Sequence, residues 1–288
     1  MKITEIITES KLTLEWLSED QVNAQLANAP EVDFSKPDSD FVPPKNTVKA
    51  YKLFRVVPGR ARLLFPLFVK ADQALEIGKW YEAEVGEMSG KQVKSSIGKL
   101  AYRPGWHAGD LPIATHIGGK SEEQKKLLAQ VTAKRKQELE TMMANPEFQN
   151  ADPAIQKNMV KQFKKDIAKK IPYPASINKP TVRPENHVWA EVEMPADVNW
   201  QDEANKRGIN PKGKFISKNA HITDQLPKGG FYRYKTNTNM TGNWLIGGAL
   251  KIIRVLSDKE VEQINKSSGT GVSDLQRTSP FNAKKYGF

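Results

Sequence analysis

Residues 187–194, HVWAEVEM, decide the fold class. Val188, Ala190 and Val192 alternate with His187, Trp189, Glu191 and Glu193, the period of two that a β-strand imposes when its faces meet different surroundings. The reading extends outward along the chain. Residues 48–57 (VKAYKLFRVV) and 62–69 (RLLFPLFV) crowd aromatic and β-branched side chains on either side of the turn Pro58-Gly59-Arg60, and Pro66 demotes the second run to an edge or bulged strand. Residues 79–85 (KWYEAEV) alternate again. Residues 230–236 (GFYRYKT) place Tyr232 and Tyr234 on one face and Arg233 on the other, and 244–256 (WLIGGALKIIRVL) reads as two strand pieces bent at Gly247-Gly248.

A different pattern begins at Ser121. The tetrad SEEQ is a capping box, and Leu127, Leu128, Val131, Leu139 and Met142 follow at helical spacing until Asn145-Pro146. Asp152-Pro153, an N-cap followed by proline in the first helical position, opens a second helix that runs to about Lys170. A short helix over 198–207 ending at Gly208, a turn at Asn210-Pro211-Lys212-Gly213 and a capped helix over 258–266 complete the elements. The expected fold is α+β. A mainly antiparallel β domain covers 48–266, with a basic helical hairpin inserted at 121–172. Residues 1–47 form a leader and extended arm, acidic and proline-bearing after Ser18, and 267–288 form a loose polar tail.

Composition bounds the chemistry. With 38% apolar and 27% charged residues among 288, the chain sits at the polar end of soluble globular proteins, and no apolar run approaches the roughly 20 residues of a membrane span. Cysteine is absent, which excludes disulfides, thiolate metal sites and cysteine nucleophiles. No Gly-x-Ser-x-Gly, P-loop or GxGxxG motif occurs. The net charge of +11 favours polyanionic partners.

Residues 100–118, LAYRPGWHAGDLPIATHIG, combine histidine, arginine, tryptophan and aspartate with a density of Gly and Pro that regular elements avoid. They are expected to form a shaped loop holding Arg103, Trp106, His107, Asp110 and His116. Glu191 and Glu193, two apart on a strand, lie about 7 Å apart on one face, a spacing that raises the cost of ionising both and suits a site stabilising positive charge. His107 and these two glutamates are the candidate catalytic groups, with Arg103, Trp106, Asp110 and Arg233 binding substrate. His107, Asp110 and His116 have ligand chemistry but lack a helical ligand spacing, so no metal is assigned. In the hairpin, Lys125, Lys126, Lys134, Arg135, Lys136, Lys164, Lys165, Lys169 and Lys170 could hold a phosphate backbone or simply face water.

Three resemblances add a context. The first nine residues, ending Ile7-Thr8-Glu9, are similar to the capsid-targeting leaders of internal head proteins of tailed phages, cut after an Ile/Leu-x-Glu site. The segments AYRPGWHAGDLP, HVWAEVE with ADVNWQDEA, GGFYRYKTN and WLIGGALKIIRVL resemble an uncharacterised domain of polyvalent proteins of phages and conjugative elements. These imply a phage-encoded protein, packaged in the capsid interior and injected into the host cytoplasm, whose partners are a host protein or nucleic acid and not a membrane. A basic or histidine residue in a first loop followed by Glu-x-Glu also resembles ADP-ribosyltransferases. That likeness implies NAD as co-substrate held by His107 or Arg103, Trp106 stacked on its nicotinamide, Glu193 stabilising the transition state and Glu191 orienting the acceptor. The alternative is a non-enzymatic nucleic-acid-binding or virion structural protein.

Overall fold

The computed structural model describes residues 41–96, 98–208, 225–235 and 240–288. The proposed leader, most of the arm and the turn at 210–213 lie outside them. The described chain forms two compact units. One comprises the chain up to Ile113, Glu185–Asp274 and Ser279–Phe288; the other comprises Ala114–Pro184 and Leu275–Thr278.

The first unit is built on strands β1 (Thr47–Arg55), β2 (Leu63–Leu64), β3 (Leu75–Glu76), β4 (Trp80–Glu82), β5 (Met88–Ser89), β6 (Gln92–Ser95), β7 (Gly98–Ala101), β8 (Trp106–Gly109), β9 (His187–Pro195), β10 (Val198–Asn199), β11 (Gly230–Tyr234), β12 (Trp244–Gly247) and β13 (Ala249–Val255). Eight of them form one sheet in the order β10-β11-β12-β8-β1-β9-β13-β4, antiparallel except for the pair β10–β11. β2–β3 and β5–β6–β7 make two small sheets. β1 pairs with β9 over its whole length, from Thr47 opposite Pro195 to Arg55 opposite His187. The fold is α+β with a mainly antiparallel sheet.

β12 and β13 are joined through Gly248 alone, yet β8, β1 and β9 lie between them in the sheet order. A one-residue link across three strands requires the sheet to curl back on itself like an incomplete barrel. Gly248 permits the crossing, because a β-carbon there would collide with the carbonyl of Pro227. The inner face carries the core: Ala50 and Phe54 from β1, Ala108 from β8, Val188, Ala190, Val192 and Met194 from β9, Leu245 from β12, and Leu250 and Ile252 from β13. Each large aliphatic or aromatic side chain buried there contributes on the order of 2 kcal/mol.

The C-terminal segment differs from the loose tail expected of its composition. Tyr286, on a 3₁₀ turn over Ala283–Tyr286, is 2% exposed and belongs to this core, and Phe281 and Phe288 pack against it. The rings of Phe281 and Tyr286 stack at 5.6 Å. Three aromatic residues in eight positions bury enough surface to hold a stretch that is otherwise polar.

The helices are α1 (Glu122–Met143), α2 (Pro146–Gln149) and α3 (Pro153–Lys170) in the second unit, then α4 (Gln201–Gly208) and α5 (Asp258–Ser267) in the first, and α4 covers one end of the outer face of the sheet. Ala204 of α4 packs on Tyr232, Tyr234 and Ile246. The side-chain amide of Gln201 accepts from the backbone N–H of Arg233 at 2.9 Å and donates to its carbonyl at 3.1 Å. It thereby stands in for a further strand along β11, where two-residue β10 has ended.

In the second unit Ser121 caps α1 with the full capping box and Asp152 caps α3 ahead of Pro153, as the sequence predicts. α2, capped by Asn145, is a turn of helix that the Asn-Pro pair starts as well as ends. Phe148 meets Phe163 at 6.1 Å between ring centres. Arg183, 2% exposed, donates to the carbonyls of Ala114 and Ile117 and closes the base of the unit.

Candidate functional site

The segment expected to be a shaped loop contains an interior strand. Residues 106–109 form β8, paired on one side with β12 and on the other with β1. Gly105, at φ 129°, turns the chain into the strand where a β-carbon would strike Ile246, so the glycine marks an entry bend and not a loop. Consecutive residues of a strand face opposite ways, and the candidates divide accordingly.

Trp106 points inward. It packs against the core, and its indole N–H donates to the Tyr81 carbonyl at 2.9 Å. His107 points outward, its Nε2 2.9 Å from the Arg103 carbonyl oxygen. Arg103 lies over the Tyr234 ring at 5.4 Å and donates to its hydroxyl at 3.1 Å. Burial pushes the Tyr234 phenol above its usual range, and the adjacent guanidinium opposes that shift. The sequence alternation of Tyr232, Arg233 and Tyr234 already places Tyr234 apart from Arg233, but its contact with Arg103 is legible only in three dimensions. Asp110 accepts from the backbone N–H of Asn243 at 2.8 Å and from its side-chain amide at 2.6 Å, so both carboxylate oxygens fasten one loop.

Glu191 and Glu193 also face outward, on β9, but two strands over from β8, with β1 between. The register sets Tyr51 between Gly109 and Glu191, so continuing it places His107 in the row of Leu53 and Trp189. By strand geometry the backbone of His107 is about 12 Å from Glu191 and about 17 Å from Glu193. Glu191, its side chain 13% exposed, accepts from Lys49 at 3.1 Å and Arg254 at 3.2 Å, while Glu193 faces Lys251 at 3.6 Å. Arg254 also pairs with Glu260 at the start of α5. The two glutamates therefore belong to a ladder of alternating charge across β1, β9 and β13. Arg233 lies on the other face, over the Phe231 ring at 5.1 Å. The structure brings together Arg103, His107 and Tyr234; it does not gather Trp106, Glu193 and Arg233 with them. His116 belongs to the other unit. Among the described residues no three His, Asp or Glu side chains are grouped to hold a metal ion.

The sequence did not single out Lys52, which faces inward from β1 between Ala108 and Ala190. Its ammonium donates to the His107 carbonyl at 2.7 Å and lies 5.5 and 5.6 Å from the ring centres of Trp106 and Phe54. The residue as a whole is partly exposed, but its amino nitrogen is enclosed, and that burial pushes its pKa down to about 8.

The lysines of the hairpin separate into two groups. Lys125 pairs with Glu122 at 2.7 Å, Lys136 with Glu140 at 3.7 Å, and Lys170 with Glu138 at 2.8 Å. Arg135 donates to the Ile171 carbonyl and stacks 3.7 Å from the Tyr173 ring centre, which makes it a clasp between chain segments. Lys164 is half-buried. Lys134, Lys165 and Lys169 are exposed and without ion pairs among the described residues, whereas exposed Lys126 acts on the charge of Glu123. Two lysines missed by the sequence reading, Lys157 and Lys161, are likewise exposed and without ion pairs among the described residues. With Lys165 and Lys169 they form an i, i+4 row over three helical turns of α3, which winds from the flank of the buried Val160 and Ile167 face at Lys157 to its opposite side at Lys165 and Lys169. The spacing of four was present in the sequence and would have found them. The second unit carries 15 Lys and Arg against seven Asp and Glu, a net +8 of the chain's +11.

No helix among the described residues is long and apolar enough to cross a membrane. Comparison of the chain with protein-family models, with curated proteins and with solved structures finds no match.

Proposed function

We propose that this protein binds nucleic acid, with the lysine row of α3 lying along a phosphate backbone. The observation that carries the reading is the row Lys157, Lys161, Lys165 and Lys169: four cations spaced about 6 Å apart along the helix axis, with no acidic partner among the described residues. Neutralising phosphates with such a row releases condensed counterions, which supplies sequence-independent affinity. The sequence resemblances support a setting in which a phage-encoded protein is packaged with DNA and delivered into a host cytoplasm, and we keep that setting as part of the proposal. The ADP-ribosyl-transfer reading would need His107 and Glu193 at one NAD ribose, and their backbones are about 17 Å apart by strand geometry. No observation favours it over polyanion binding.

Anisotropy of a short labelled DNA duplex across a salt series tests the proposal. The wild-type affinity falls linearly with salt on logarithmic axes, and replacing all four lysines by alanine makes the slope shallower by about 3 to 4. The variant Glu191→Gln serves as a control and binds as the wild type. Equal slopes for the wild type and the four-lysine variant would falsify the assignment of the row.

A further inference from the structure

Beside the edge strand β10 lies a cleft of about 220 Å³ lined by Ala196, Val198, Asn199, Gln201, Phe231 and Arg233, all in the first unit. We propose that this cleft is a second nucleic-acid subsite, which takes one unstacked base and its phosphate from a single strand. The inference rests on the reading of the protein as nucleic-acid binding, but it concerns a different unit and a different form of the ligand.

The polar groups of the cleft divide by availability. Gln201 spends its amide on the backbone of Arg233, and Asn199 spends its side-chain oxygen on the N–H of Gln201 at 3.0 Å. Asp202 is turned toward Asn199 at 3.4 Å. The Arg233 guanidinium is the exception. It is exposed, its central carbon lies 5.1 Å from the Phe231 ring centre, and among the described residues no hydrogen bond or ion pair engages its donors. A guanidinium held on an aromatic ring presents a flat outer face on which a base can stack, with in-plane N–H groups that match a phosphate. Ala196, Val198 and Phe231 supply an apolar floor, and Val198 is 45% exposed there. The volume is below that of pockets enclosing whole drug-sized ligands, so it suits one ring system of a longer chain and not a dinucleotide. A duplex keeps its bases stacked inside and offers this cleft no ring, which makes the subsite selective for single strands.

The test uses the full chain and a labelled oligothymidine. Arg233→Gln removes the stacking plane, and Val198→Glu places a carboxylate in the cleft at an exposed position; neither alters the packed core. Each variant is expected to bind oligothymidine about tenfold more weakly, while duplex affinity is unchanged. Circular dichroism confirms that both are folded. If both variants bind oligothymidine as the wild type does, the cleft is not a subsite, whatever the lysine row does. If the four-lysine variant loses duplex binding while these two do not change either ligand, the function stands and this inference is overturned. Thermal shifts with thymidine monophosphate and with inorganic phosphate separate the base from the anion. Equal shifts from the two in the wild type would overturn the stacking role; a larger shift with the nucleotide, lost in Arg233→Gln, supports it.

Discussion

Two runs of like charge, each at the natural period of its element, meet opposite surroundings in this molecule. On β9, Glu191 and Glu193 repeat every second residue and are answered by Lys49, Arg254 and Lys251 from the strands on either side. On α3, Lys157, Lys161, Lys165 and Lys169 repeat every fourth residue and are answered by nothing among the described residues. In sequence the glutamate pair reads as a site, and only Lys165 and Lys169 of the row fall among the cations that could hold a phosphate backbone. Cross-strand partners turn the first into scaffold, since opposed charges on neighbouring strands stabilise the sheet and lower the free charge on offer. The exposed helix row has no such partners among the described residues, and its charge stays open to solvent.

Lys52 extends the contrast to an unanswered charge turned inward, and it should give the largest effect on stability. Its folded pKa of about 8 lies below the unfolded value near 10.4, so between those limits the unfolded chain binds a proton that the folded chain does not. Stability therefore rises as pH climbs from about 8 towards 10.4. Lys52→Met is expected to raise stability at neutral pH by on the order of 2 kcal/mol and to flatten that rise. Urea midpoints at neutral and alkaline pH for both proteins check this; parallel pH curves would show that the amino group is not enclosed.

Removing an answered charge should cost less and leave binding alone. Glu191→Ala strips a common partner from Lys49 and Arg254, whose side chains are 59% and 46% exposed and can turn to water. A loss of about 1 kcal/mol in chemical unfolding is expected, with unchanged duplex affinity. A fall in duplex affinity with the fold intact would erase the distinction between the two runs.

The smallest effect belongs to Glu260. Hydrogen bonds from the Ser257 backbone, then from Arg254 and the Ser257 hydroxyl, hold its carboxyl down to about 2. A depressed acid stabilises the fold above its unfolded pKa, near 4.3, and that contribution fades as pH falls from there towards 2. Because the side chain is 40% exposed, screening keeps the contribution below about 1 kcal/mol. Comparing the acid limb of thermal unfolding for the wild type and Glu260→Gln measures it, and identical limbs would refute the contribution.

The parts of the fold legible in the sequence are those fixed by local chemistry. Ser121 with Gln124 and Asp152 with Pro153 start α1 and α3 because caps satisfy the first N–H groups of a helix whatever lies around it. Strand β9 shows in its alternation, although Trp189 and His187 turn out to be buried on the face expected to be polar. Strand β8 is not legible. Its four residues sit between Gly105 and Asp110 with the composition of a loop, and only the edges of β12 and β1 make them a strand. The candidate site was drawn on that loop, which could have aimed Trp106 and His107 together, whereas neighbouring residues of a strand face opposite ways. Lys52 escaped notice because a lysine among apolar residues in VKAYKLFRVV looks like the outward half of an alternation. Its inward direction depends on the register with β9, which no local pattern reveals.

Gly248 has a consequence for how this chain can vary. The chain leaves the sheet between β8 and β9 and returns to it after 70 and more residues, so that junction accommodates whole helices. At Gly248 it crosses the curled sheet in a single residue, pressed against the Pro227 backbone. Length is therefore free at one joint and fixed at the other: descendants of this chain can lengthen, shorten or replace the hairpin, while one added residue at Gly248 would shift β13 out of step with β9 and turn Ile252 and Arg254 to the wrong sides of the sheet.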